Sequence, residues 1–136
     1  MNLKVGAINV GLLGLGVVGS GVIQALNQKS ALIATQLGRP IHVPSILVRD
    51  LDKPRLLKTP GSLLTTNPKD ILEDSTVQIV VEVMGGEFPA LEYIRQALQS
   101  GKSVVTANKE VISKHGPELM SLAKSQGVRI LFEASV

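Results

Sequence analysis

The chain has 136 residues, of which 44% are hydrophobic, 2% aromatic and 18% charged. That length fits one domain, whose core must be aliphatic, and the charge content is too low for an intrinsically disordered chain. With no cysteine there can be no disulfide scaffold, thiolate metal site or cysteine nucleophile, which is compatible with a reducing, cytoplasmic setting. The net charge of +3 is spread without a basic run or interleaved aromatics, so nucleic acid is not the expected partner and a small anionic ligand is.

The first element is an apolar run from Val5 to Leu13, broken only by Asn9, as in a strand buried on both faces. From Val5 to Ile23 the 19 residues are nearly all apolar, long enough to cross a bilayer. Six of them are glycine, which a turn explains better than lipid, so no membrane association is expected. Val18, Val22, Ala25 and Leu26 then follow helical spacing. Ile41 to Val48 reads as a second strand, in which Pro44 implies an edge position, a bulge or a late start.

Residues 50–76 are the least regular, with a short strand expected near Leu63–Leu64 and a helical turn near Pro68–Leu72. Val77 to Val83 is a further buried strand. Pro89 to Leu98 is a helix stopped by Gly101, and Ser103 to Thr106 another strand. Asn108–His115 and Pro117–Gln126 read as two helical pieces parted at Gly116, before a last strand at Val128–Phe132. About six aliphatic strands alternating with helices predict an α/β fold. It would be a Rossmann-type, doubly wound, mainly parallel sheet with helices on both faces.

Gly14-Leu15-Gly16-Val17-Val18-Gly19 fits G-x-G-x-x-G between a strand and a helix, where a dinucleotide loop belongs. Gly14 would allow the tight turn, Gly16 a close approach of pyrophosphate, and Gly19 tight packing of helix on strand. The helix N-terminus would face the phosphates. The alternative is a glycine-rich packing turn without a ligand. Arg49 at the end of the second strand suits the 2′-phosphate of NADP, whereas Asp50 could hold the 2′-hydroxyl of NAD. Asp50 lies 31 residues after Gly19, further than usual, and we favour Arg49 and NADP, with Asp50 a turn residue or cap.

Met84, Gly85 and Gly86 follow the middle strand, as a loop over the cofactor or a simple strand-to-helix turn. Thr106-Ala107-Asn108-Lys109 ends the next strand, where Lys109 is either a cation on the nicotinamide side or a solvated lysine.

Five segments resemble one family in order: residues 11–19, Val-Arg-Asp at 48–50, Val-Glu-Val-Met-Gly-Gly at 81–86, Gly-Lys-Ser-Val-Val-Thr-Ala-Asn-Lys at 101–109 and Phe-Glu-Ala-Ser-Val at 132–136. Together they are similar to the N-terminal nucleotide-binding region of homoserine dehydrogenase. The resemblance implies an NAD(P)-dependent oxidoreductase interconverting L-homoserine and L-aspartate 4-semialdehyde, on the route to threonine and methionine. It implies Gly14, Gly16, Val17, Val18 and Gly19 as the phosphate loop and Arg49 as the 2′-phosphate contact. Met84 and Gly85 fall on the cofactor side. Thr106 and Lys109 fall near nicotinamide and substrate, with Lys109 in a supporting catalytic role. Glu133 and Val136 match positions that help bind a monovalent cation, Na+ being the candidate.

Val17 departs from the threonine common in that family. The family continues with a substrate and dimerisation domain that carries the main proton donor. Residues 1–136 are therefore expected to be one nucleotide-binding domain, able to bind cofactor without turnover. The complete enzyme is expected to be a homo-oligomer acting on a small amino-acid substrate. A different NAD(P)-dependent reductase and a non-catalytic nucleotide-binding module are the alternatives.

Overall fold

The computed structural model describes residues 6–55 and 59–132. Six strands form one sheet: β1 (Ile8–Leu13), β2 (Ile41–Leu47), β3 (Leu64–Thr65), β4 (Ile79–Glu82), β5 (Ser103–Thr106) and β6 (Ile130–Phe132). Every pairing is parallel, and the order is β3-β2-β1-β4-β5-β6. Parallel strands need crossovers, which the intervening helices supply. These are α1 (Val17–Gln28), α2 (Ser30–Leu37), α3 (Lys69–Leu72), α4 (Ala90–Gln99) and α5 (Lys109–Ser125).

The strands bury both faces because successive side chains point to opposite sides. Leu13, Leu47 and Val80 enter one core with Ile71, Ile94 and Leu119, under α3, α4 and α5. Leu12 and Ile46, their immediate neighbours, enter the other with Val22, Ile23 and Val81, under α1. Doubly wound architecture is thus a direct consequence of aliphatic runs without alternation. Asn9, the polar break in β1, donates from Nδ2 to the Thr76 carbonyl at 3.1 Å.

Pro44 sits at a bulge within an internal strand. The register moves from Asn9↔His42 to Gly11↔Ser45, so two residues of β2 oppose Val10 alone. The ladder thereby skips the residue that has no N–H to offer.

Two expectations need correction. Residues 109–125 form one helix, not two pieces parted at Gly116, and Pro117 lies inside it. Pro117 withdraws one backbone bond, but Val111, Gly116, Leu119 and Ala123 are all buried and hold both halves in line. Ser30–Leu37 is in addition helical, where no element was expected. It buries none of its residues, so no amphipathic stripe announced it. In α1, Val18 and Ala25 are exposed; the packed face is Gly19, Ser20, Val22, Ile23 and Leu26, because small residues let the helix start lie close to the sheet. The part of the first strand at Val5 lies outside the described residues.

Among the described residues no helix is long and apolar enough to cross a membrane.

Candidate functional site: a groove across the carboxyl ends of the strands

The strand order reverses between β1 and β4, and the carboxyl ends of β1, β2 and β4 open at this switch point. Ligands of doubly wound sheets sit in such a crevice. Here it is a cavity of about 730 Å³, with Gly14, Gly16, Val17, Arg49 and Met84 among its lining residues. That volume lies in the range of small-molecule and cofactor sites.

The glycine loop is shaped by two close approaches. Gly14 has φ +106°, and a Cβ there would lie 3.2 Å from the Val83 carbonyl oxygen. A Cβ on Gly19 would lie 2.4 Å from the Gly14 carbonyl oxygen, a distance real side chains do not show. The loop thus packs against both its own helix and the end of β4. Gly16 differs: it has φ −90°, and no protein atom stands within 4 Å of a Cβ built there. Nothing in the fold itself requires glycine at 16, whereas a phosphate approaching the backbone does.

Gly16 also caps α1 without a side-chain bond, and the first turn of α1 holds no acidic residue. The leading N–H groups and the positive end of the helix dipole therefore stay available to an anion. Val17 and Val18 are exposed at this helix start, and Gly19 is buried beneath it.

The β2 end is cationic. Arg49 and Lys53 are exposed and line the cavity, together with half-buried Arg55. The Arg55 guanidinium donates to the Asp50, Leu51 and Lys53 carbonyls and so folds this loop. The Asp50 carboxylate accepts from the Asp52 N–H at 2.9 Å, the local turn that short acidic side chains favour.

At the ends of β4 and β5 the polar groups turn inward. Thr106 is 1% exposed and Glu82 0%, and their side chains meet at 2.6 Å. Asn108, also buried, accepts from the Val111 N–H at 3.1 Å and caps α5. Lys109, the first residue of α5, and Gly85 are exposed, and neither lines the cavity. The structure thus gathers Gly14, Gly16, Val17, Arg49 and Met84 in one cavity and puts Thr106 in a buried network beside it.

Sequence reasoning gave no role to Glu82, Asn108, Lys53 or Arg55. For Glu82 a signal existed, as the only charge in the run Val77 to Val83. For Arg55 there was none, because its carbonyl partners are set by the loop. Another buried charge belongs elsewhere: Lys102, at the opposite end of β5, donates to the Asp74 and Val77 carbonyls at 2.7 and 3.1 Å. Burial pushes its pKa below the ordinary lysine value.

Among the described residues no group of three or more His, Asp or Glu comes together to hold a metal. Glu133 and Val136 lie outside the described residues.

Residues 14–133 match the family described as homoserine dehydrogenase, NAD binding domain. The chain belongs to that family.

Two homoserine dehydrogenases give the scale. That of Bacillus subtilis is 45% identical over 101 residues, covering 74% of this chain and 23% of the relative. That of Synechocystis sp. is 46% identical over 100 residues, with the same coverages. The chain therefore spans about a quarter of the length of the curated relatives it matches. The crystal structure of S. aureus homoserine dehydrogenase at pH 7.5 superposes with a TM-score of 0.90 and 42% identity, over 96% of this chain and 34% of that one. A hyperthermophilic archaeal homoserine dehydrogenase in complex with NADPH superposes with a TM-score of 0.77 and 28% identity, over 96% and 44% of the two chains. As a homoserine dehydrogenase NAD-binding domain, the chain is a nicotinamide dinucleotide-binding module with a Rossmann-type fold.

Proposed function

We propose that this chain is the cofactor domain of an enzyme that interconverts L-homoserine and L-aspartate 4-semialdehyde, with NADP as the preferred dinucleotide. The observation that carries the preference is Arg49, exposed at the β2 end of the same cavity as Gly14 and Gly16, with Lys53 beside it. Guanidinium and ammonium groups there suit a 2′-phosphate. An archaeal homoserine dehydrogenase of the same fold in complex with NADPH supports the reading.

The groove residues fit a dinucleotide. Gly14 and Gly19 let the loop pack against the end of β4 and its own helix, and the open backbone at Gly16 with the helix start beyond it suits the pyrophosphate. When bound, the nicotinamide exchanges a hydride with the substrate's carbonyl carbon. The task of the chain is to hold phosphates at α1, fix the adenosine end at Arg49, and present the β4 and β5 ends to the other half. Lys109 is the residue we place near the reacting atoms, where its ammonium would stabilise charge developing on the substrate oxygen. Glu133 and Val136 would contribute to a monovalent-cation site.

The 136-residue chain itself is expected to bind without turnover, as a single cofactor domain. Isothermal titration of the purified chain should give tighter binding of NADP than of NAD, and no NADPH should form on adding homoserine. Equal or reversed affinities would sink the NADP assignment. Turnover by the chain alone would refute the division of labour.

A further inference from the structure

Glu82 ends β4 and is fully buried. Its carboxylate receives four donors. Oε1 accepts from Thr106 Oγ1 at 2.6 Å. Oε2 accepts from the Met84 N–H at 2.8 Å, the Gly85 N–H at 3.3 Å and Asn108 Nδ2 at 3.4 Å. Thr106 Oγ1 in turn accepts from the Asn108 N–H at 3.0 Å, and its own hydrogen goes to Glu82. Every partner donates, which matches a group that only accepts.

These donors come from two different chain segments. Met84 and Gly85 belong to the loop after β4, whereas Thr106 ends β5 and Asn108 lies in the connection that follows it. Asn108 closes the circuit by donating from Nδ2 to the Gly86 carbonyl at 2.6 Å. Gly85 and Gly86, at φ +76° and +75°, turn the loop back so that this carbonyl faces Asn108. The Asn108 side chain also caps α5, whose first residue is Lys109. One carboxylate therefore sets the separation of Met84 in the cavity wall from the start of α5.

Core filling alone does not call for an acid at this point. Val80, two residues earlier on the same strand, is equally buried and apolar. A buried carboxylate bears a desolvation cost that only its bonds offset, so its contribution lies in what those bonds hold. With a 2′-phosphate at the β2 end, the far half of the dinucleotide reaches the β4 and β5 ends.

We propose that Glu82 is the positioning residue of the nicotinamide half of the groove, joining the Met84–Gly85 loop to the Thr106–Lys109 segment through its single carboxylate. This rests on the cofactor reading above. A glutamine at 82 offers one N–H group where a carboxylate oxygen accepted, so one of the two segments is left facing a donor.

The test titrates the chain with NADP and with adenosine 2′,5′-bisphosphate, which lacks the nicotinamide half. Glu82→Gln should weaken NADP at least ten-fold and leave the bisphosphate within two-fold. Amide exchange should quicken at Met84, Gly85 and Asn108 while Val80 stays protected. An unchanged NADP affinity overturns the proposal, and so does an equal loss of both ligands, the result of general loosening. Asn108→Ala, which keeps the carboxylate and cuts the tie to Gly86, decides the matter should the Glu82 variant not fold. Its selective loss of NADP is expected, and its unchanged affinity is disqualifying. If the unsubstituted chain binds neither ligand, the cofactor reading itself falls, a result distinct from failure of the Glu82 role alone.

Discussion

At the end of β2, Arg49, Asp50 and Lys53 stand exposed, and the Arg55 guanidinium ties the loop through backbone carbonyls. At the ends of β4 and β5, Glu82, Thr106 and Asn108 are 0%, 1% and 4% exposed and bond to one another. The first region offers charge to a ligand through water. The second spends its polarity on internal geometry. A charged, solvated side recognises a phosphate by point contacts, each removable alone, whereas a dry network acts as a unit because each lost partner leaves a desolvated group unpaired. One end can therefore change its ligand preference by single substitutions, and the other cannot without moving two chain segments.

The largest expected effect comes from the turn between the two regions. Gly19→Ala forces a methyl group against the Gly14 carbonyl oxygen. Overpacking of that kind costs ~1–3 kcal/mol, and NADP binding should fall below detection because the helix start must shift. A thermal melt with titration checks both, and a variant with native affinity would show that the loop yields freely. A smaller effect is expected at the β2 end. Arg49→Ala would remove the proposed charge-assisted contact to the 2′-phosphate, worth ~1.5–3 kcal/mol, so NADP should weaken about 10- to 100-fold while NAD stays nearly unchanged. Comparable losses for both cofactors would blur the contrast between the regions.

The smallest effect concerns the helix pair that carries the inner region. Glu87, after β4, meets His115 at 2.8 Å and Lys114 at 3.1 Å, and Glu118 pairs with Arg95 at 2.8 Å. The bond to His115, then that to Lys114, holds the Glu87 pKa below the ordinary carboxylate value, and Arg95 does the same for Glu118. A depressed native pKa means that the unfolded chain takes up protons first. The stabilising contribution is complete above the ordinary range of about 4.3 and fades as pH falls through the lowered values. Glu118 is open to water and the Glu87–His115 pair only half-buried, so the contribution is small. Carboxyl titration by NMR should place both midpoints below the ordinary glutamate value, and loss of α4–α5 amide protection should follow the same acid transition. Midpoints at the ordinary value would remove this link.

Much of the fold was legible in the residues. Val5–Leu13 and Val77–Val83 are mainly aliphatic without regular alternation, which a strand covered on both faces tolerates. Gly14, Gly16 and Gly19 announced the loop because their requirement is local, one strand end meeting one helix start. Pro117 misled, since its local penalty was outweighed by burial of Leu119 and Ala123 further along the helix. Ser30–Leu37 stayed hidden because none of its residues is fully buried.

The sequence by itself determined the alternation of strand and helix, the aliphatic core and the phosphate loop, all of which depend on neighbours within a few residues. Only the tertiary structure decided the order β3-β2-β1-β4-β5-β6, the bulge that accommodates Pro44, and the meeting of Glu82 with Thr106 and Asn108, 24 and 26 residues away. Those pairings belong to chain segments brought together by sheet assembly. A buried acid reveals its partners only when the strands that carry them lie side by side.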